Sequence, residues 1–166
     1  METERLILRP LVLADAPFIL RLLNEPSFIA NINDKGVRTL DQARAYLQAG
    51  PMASFREHGH GLAAVVLKAT GLAIGISGLI RRAGFQDIDL GYAFLPEHTG
   101  RGYALEAARA WLEYAFQVLG RHRVIALVSP GNEHSIHLLE RCGFRCEGDA
   151  AMPEDGAQVR LYGLER

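Results

Sequence analysis

A chain of 166 residues suits one domain with a full apolar core. Its net charge of −1, from 18 basic and 19 acidic residues, lacks the basic excess of a nucleic-acid binder, and 49% hydrophobic with 22% charged residues is the balance of a soluble globular fold. Two cysteines are too few for a disulfide scaffold, the opening METERLILRP is too charged for a signal peptide, and no apolar run reaches membrane-spanning length, so one cytoplasmic domain over 1–166 is expected.

Residues 3–13, with Leu6, Ile7, Leu8 and Val12, read as a first strand. Residues 15–24 predict a helix: Asp15 can cap it, Pro17 suits its first turn, and Phe18, Ile19, Leu22 and Leu23 form one apolar face. Pro26 follows, and the polar segment 27–38 reads as a loop over a site. Thr39-Leu40-Asp41-Gln42 has capping-box spacing, so a second helix is predicted over 39–50, stopped by Gly50-Pro51. Beyond the glycine-rich entry 58–61, two apolar runs at 62–68 and 72–80 read as strands joined by a turn at 69–71.

The segment 87–94 alternates, with Ile88, Leu90, Tyr92 and Phe94 on one face and Asp87, Asp89, Gly91 and Ala93 on the other. It should close an antiparallel meander with the two preceding strands. Its two aspartates fit a solvated strand face as well as they fit a cleft. Pro96 cannot donate to a ladder and ends the pairing. Gly100-Arg101-Gly102 follows, and then a helical pattern through Ala104, Ala107, Ala108, Trp111, Leu112, Ala115, Phe116 and Leu119. Strand, two-glycine turn and helix start direct unpaired backbone N–H groups at one point, and Arg101 adds charge there. This predicts a pyrophosphate site, although the same turn also serves as an ordinary strand-to-helix connection. It is neither a P-loop nor a full G-x-G-x-x-G motif. Glu106, in the first turn of the helix, is favoured there by the dipole and reads as structural.

Past Gly120, the unbroken apolar run 124–128 reads as a strand covered on both faces, parallel to 87–94 across the helical crossover. Asn132 caps a short helix with Ile136, Leu138 and Leu139 inward and Gly143 past its end. Segments 144–147 and 159–164 read as the last strands, around a turn at 153–156. The pairs His58/His60 and His134/His137 lack a third ligand, so no metal is expected.

These elements in this order, with L-G-Y-x-F-L-P, G-R-G-Y-A and N-x-x-S-x-x-L-L-E-x-C-G-F, resemble the GNAT superfamily of acyl-CoA-dependent N-acyltransferases. The opening T-E-R-L-I-L-R-P resembles its RimJ/RimL-type branch of ribosomal-protein alanine acetyltransferases. The resemblance spans the chain and implies an α/β (α+β) fold: a mixed, mostly antiparallel sheet with one splayed parallel strand pair and about four helices.

It also implies acetyl-CoA as co-substrate. The phosphates would fall on Thr99, Gly100, Arg101, Gly102, Tyr103 and Ala104, the pantetheine arm beside Phe94 and Leu95, and a further cofactor contact on Asn132. Thr99 stands where relatives carry Gln or Arg. The family often draws its general base from the 87–94 strand, which points to Asp89. The tyrosine that many relatives use to protonate the departing thiolate falls on Leu139, leaving Ser135 as the polar residue of that helix. The implied partners are acetyl-CoA and a primary amine, with neither nucleic acid nor membrane, for a monomer or homodimer. A protein or peptide N-terminus is the first reading of the acceptor. The alternatives are a small amine (amino acid, polyamine or antibiotic) and an inactive CoA-binding sensor module. The reaction needs an amine that sheds a proton from a pKa of about 8 to about 10.4. It also needs a donor for the thioester oxyanion, expected from the N–H of Phe94 or Leu95.

Overall fold

The structure, a computed structural model, describes residues 1–166. Its strands are β1 (Leu6–Pro10), β2 (Leu62–Leu67), β3 (Ala73–Ile80), β4 (Ile88–Phe94), β5 (Arg123–Val128), β6 (Arg145–Ala151) and β7 (Gln158–Glu165). They form one sheet in the order β1-β2-β3-β4-β5-β7-β6. All neighbours are antiparallel except β4 and β5, which run parallel as the crossover predicts. The helices are α1 (Ala16–Leu23), α2 (Pro26–Asn31), α3 (Leu40–Ala49), α4 (Pro51–His58), α5 (Tyr103–Glu113), prolonged by a π-helical turn at Tyr114–Val118, and α6 (Glu133–Arg141). No helix is long and apolar enough to cross a membrane.

The sheet separates two apolar cores. One gathers α5 and α6 with Trp111, Leu112, Leu139 and Phe144; the other gathers α1 and α3 with Ile19, Leu22, Leu23 and Leu47. Strand β2 serves both, sending Ala63, Val65 and Leu67 to the first and Ala64 and Val66 to the second. That double burial is why its sequence is continuously apolar.

The capping box forms as spelled: the Gln42 N–H donates to Thr39 Oγ1 at 3.1 Å, and the Thr39 N–H donates to Gln42 Oε1 at 3.2 Å. Two helices depart from the sequence reading. Segment 27–38 is not all loop, because α2 occupies its start, and Gly50-Pro51 does not simply stop α3, because α4 begins there. Both extra helices carry proline at their first position, Pro26 and Pro51. A missing N–H costs nothing there, so the residue that ends one helix opens the next.

Asp15 does not cap α1 through its side chain. Its carboxylate is instead gripped by Arg9, Nη1 to Oδ2 and Nη2 to Oδ1 at 2.8 Å each, and by the Val12 N–H at 2.8 Å. Burial opposes ionisation of Asp15, but the guanidinium fork and the amide outweigh it and hold the group below the usual carboxylate range. A depressed folded-state pKa stabilises above the unfolded value of about 3.9 and is lost as pH falls through the folded one. Asp15→Asn should therefore cost about 2 kcal/mol in urea unfolding at pH 7. The gap to wild type should close on acidification toward the folded-state pKa.

Candidate active site

Strand β4 pairs with β5 only at Ile88↔Val124 and Asp89↔Ile125, and beyond that point the two part. Asp89 stands at the fork. Its Oδ1 accepts the Leu127 N–H at 3.2 Å, so a side chain fills the place where the ladder would continue. Its Oδ2 accepts from Arg82 Nε, and Arg82 Nη1 reaches Glu154 at 3.0 Å. Only 1% of Asp89 is exposed, which rules out the solvated-face reading for this residue. Burial pushes its carboxyl up, against the pull of Arg82 and the Leu127 amide. Asp87, by contrast, is partly exposed and pairs with Arg123 at 3.0 Å.

The Leu95 N–H donates to the Ile74 carbonyl at 2.9 Å. Alternation along a strand then aims the main-chain groups of Tyr92 and Phe94 the other way, into the gap toward β5. Of the two amides expected as oxyanion donors, that of Leu95 is spent on the sheet. Its side chain is also 4% exposed within the α1–α3 core. The amide left facing the gap is that of Phe94.

Downstream, Gly100 and Gly102 take φ of +74° and +82°, left-handed values that favour glycine. The first main-chain bond of α5 is Glu106 N–H to the Gly102 carbonyl at 3.0 Å. Ahead of it, the N–H groups of residues 100–105 donate to nothing in the protein. Six consecutive free amides at a helix N-terminus form an anion cradle.

The turn is strapped from outside by the start of the chain. Glu106 accepts from Thr3 Oγ1 at 2.5 Å, from the Arg5 N–H at 2.8 Å and from Arg5 Nε at 2.7 Å. Arg5 Nη1 then donates to the Arg101 carbonyl at 2.9 Å, and the guanidinium lies 4.4 Å from the centre of the Tyr103 ring. Glu106 is thus structural in a specific way, tying the segment that leads into β1 to the glycine turn.

From helix α6, Asn132 Oδ1 accepts the Ser135 N–H at 3.3 Å, the cap its sequence predicts. Ser135 Oγ lies 2.5 Å from the Tyr92 hydroxyl. Tyr92 is the site residue that sequence reasoning passed over. Strand parity put it on the α5–α6 face, but its partner lies 43 residues away and no local pattern marks it. Burial raises the Tyr92 pKa well above its ordinary value, with the Ser135 bond opposing, so the phenol stays protonated. Leu139, where relatives carry a tyrosine, is 1% exposed in the core.

A single cavity of about 1000 Å³ joins these parts. Asp89, Phe94, Thr99, Gly100, Gly102, Tyr103, Ala104, Asn132 and Ser135 all lie on its wall, together with Tyr92 and His98, whose buried Nδ1 has no partner. Leu95 and Arg101 are outside the wall. The cavity therefore runs from a phosphate-type cradle, past an open strand edge, to a buried carboxylate and a pair of hydroxyls. That sequence of groups fits a long phosphorylated thioester whose acyl end must meet a second reactant.

These features define an acyl-CoA-dependent transferase. A family model described as an acetyltransferase (GNAT) domain matches residues 5–145. The chain belongs to the GNAT acetyltransferase family and is an acetyltransferase with acetyl-CoA as its co-substrate. It is 28% identical over 148 residues to the uncharacterized N-acetyltransferase YnaD of Bacillus subtilis (strain 168), covering 89% of this chain and 84% of that one. An acetyltransferase from Agrobacterium tumefaciens str. C58 superposes with a TM-score of 0.83 at 30% identity, covering 100% and 94% of the two chains. A spermidine N-acetyltransferase from Vibrio cholerae, solved in complex with CoA and spermine, shares the fold at a TM-score of 0.80 and 22% identity, covering 98% and 96%.

Proposed function

We propose that the protein transfers the acetyl group of acetyl-CoA directly to a primary amine. A peptide α-amino group is the first acceptor class and a small amine the second. The observation that carries this reading is the continuity of one cavity from the six free amides at 100–105 to Asp89, Tyr92 and Ser135. In this scheme the pyrophosphate rests on the free amides, with Thr99, Tyr103, Ala104 and Asn132 along the cofactor arm and Arg101 supplying charge from the rim. The pantetheine follows the open edge of β4, and the thioester carbonyl accepts the Phe94 N–H.

The amine attacks the carbonyl carbon, the C–N bond forms, and the C–S bond breaks. Asp89, raised by burial, takes the proton from the attacking nitrogen, directly or through a water. The Tyr92 hydroxyl faces two acceptors, Ser135 Oγ at 2.5 Å and the Ser135 carbonyl at 3.3 Å, and in this scheme it donates to them, which leaves the Ser135 proton for the departing sulfur. A serine hydroxyl gives a hydrogen bond more readily than a whole proton. A thiolate of pKa about 8.5 needs no more to leave.

Ser135→Ala should lower kcat by up to about a hundredfold with little change in acetyl-CoA affinity. Tyr92→Phe should produce a loss of the same kind, because it takes away the partner of the remaining hydroxyl. Wild-type kcat in both variants would make the pair a packing feature. The reading as a whole is tested by thiol release from acetyl-CoA. The release must depend on an added amine and yield that amine acetylated. Tight acetyl-CoA binding without release, across peptides and small amines, would instead favour the sensor module.

A further inference from the structure

The cavity continues past Asp89 into a chamber walled by the loop 32–39, helices α3 and α4 and the end of β3. Its ionisable lining residues are Lys35, Glu57, His58, Arg81, Arg82 and Asp89. The partners of these groups are unevenly distributed. Asp89 is taken by Arg82 and the Leu127 amide, and Arg82 shares itself with Glu154. Glu57 has only His58, at 3.8 Å. Lys35 and Arg81 have no carboxylate within ion-pair distance and make no side-chain hydrogen bond. The Nη2 of Arg82 is likewise unbonded.

Lys35 and Arg82 line the same cavity. Crowding by the surrounding protein lowers the Lys35 pKa, and the charge of Arg82 lowers it further, against a weaker pull from Glu154 and Asp155. Two cations sharing a chamber, each with donors to spare, suit an incoming anion. A polyamine would meet the opposite of what it needs. Of the two carboxylates on the cavity wall, its second and third ammonium groups would find Asp89 already held by Arg82 and Glu57 facing only His58.

We propose that the acceptor is an amine that carries a carboxylate close to its nucleophilic nitrogen, held by Lys35 and Arg82, and that polyamines are excluded. This inference rests on the acetyl-transfer reading above and names its substrate class. The carboxylate comes either from a free amino acid or from an acidic side chain beside a peptide N-terminus. The two sources share the chemistry and are separable by experiment.

The test measures kcat/KM of the full chain with acetyl-CoA, expressed per unprotonated amine, over acceptors paired by the presence or absence of one carboxylate. These are free amino acids against their carboxamides, Ala-Glu-Ala-amide against Ala-Gln-Ala-amide, and spermidine. The carboxylate member of at least one pair should be preferred tenfold or more, with spermidine slower than either. Whichever pair shows the preference identifies the source. Lys35→Glu, at an exposed loop position where folding is not at stake, should remove that preference or invert it and leave acetyl-CoA affinity unchanged. Turnover of carboxamides or spermidine at least as fast as the carboxylates would overturn the inference while leaving acetyl transfer standing. So would a charge preference that Lys35→Glu does not alter. Acetyl-CoA binding with no amine acetylated would remove both together.

Discussion

Replacing Gly102 with glutamate should weaken acetyl-CoA binding by about a hundredfold or more while the protein remains folded. Two effects combine. At φ +82° a side chain is strained, which costs about 1–2 kcal/mol locally. The added carboxylate also enters a cradle whose free N–H groups await an anion, and repels the pyrophosphate they would hold. A Cβ at Gly102 would lie 3.2 Å from Arg5 Nη2, so the glutamate also competes for the guanidinium that straps the turn. Gly102→Ala separates the contributions: it carries the strain without the charge and should lose far less affinity than the glutamate variant. Calorimetry reads both. Unchanged affinity in a folded Gly102→Glu protein would put the cofactor elsewhere.

Asp89→Asn should be the most damaging single change in the catalytic half of the cavity. If the carboxylate takes the amine proton, kcat should fall by about 10² to 10⁴. The acidic limb of the pH–rate profile should go with it. The same substitution leaves Arg82 buried with its main counter-charge gone, and breaking one side of a buried pair costs about 3–5 kcal/mol. Stability must therefore be measured alongside rate. Glu154→Gln provides the comparison, since it disturbs the outer half of the Arg82 network without touching the fork. A rate loss confined to Asp89→Asn, with an altered pH profile, marks proton transfer. A profile matching wild type in Asp89→Asn would reduce the residue to a brace that keeps β4 and β5 apart.

Much of this architecture is spelled locally. Alternation from Ile88 to Phe94 gives β4 and its faces, the Thr39/Gln42 pair gives the start of α3, and the crossover through α5 gives the parallel pair. Two glycines ahead of a helical stripe give the anion cradle. What escaped the sequence has definable causes. Pro26 and Pro51 signal a stop and a start with the same residue, and the local pattern displays only the stop. Strand parity showed that Asp89 faces away from Tyr92, but not that Arg82 and the Leu127 amide would cover it, because both arrive from other strands or turns. The Tyr92–Ser135 contact joins β4 to α6, and Leu95 loses its amide to Ile74 across a strand pair. These pairings are made by tertiary geometry, whereas periodicity reports only on neighbours. The order in which β7 slips between β5 and β6 is of the same kind.

Amide hydrogen exchange on the free protein and on its acetyl-CoA complex tests the central claim most directly. The N–H groups of residues 100–105 and of Phe94 face solvent or the open gap without protein acceptors, so they should exchange rapidly in the free state. On binding, these amides should become protected together, while the Leu95 N–H, already bonded to Ile74, should change little. Protection that appears on other segments and leaves 100–105 and Phe94 exchanging as before would contradict the account of how this fold holds its co-substrate.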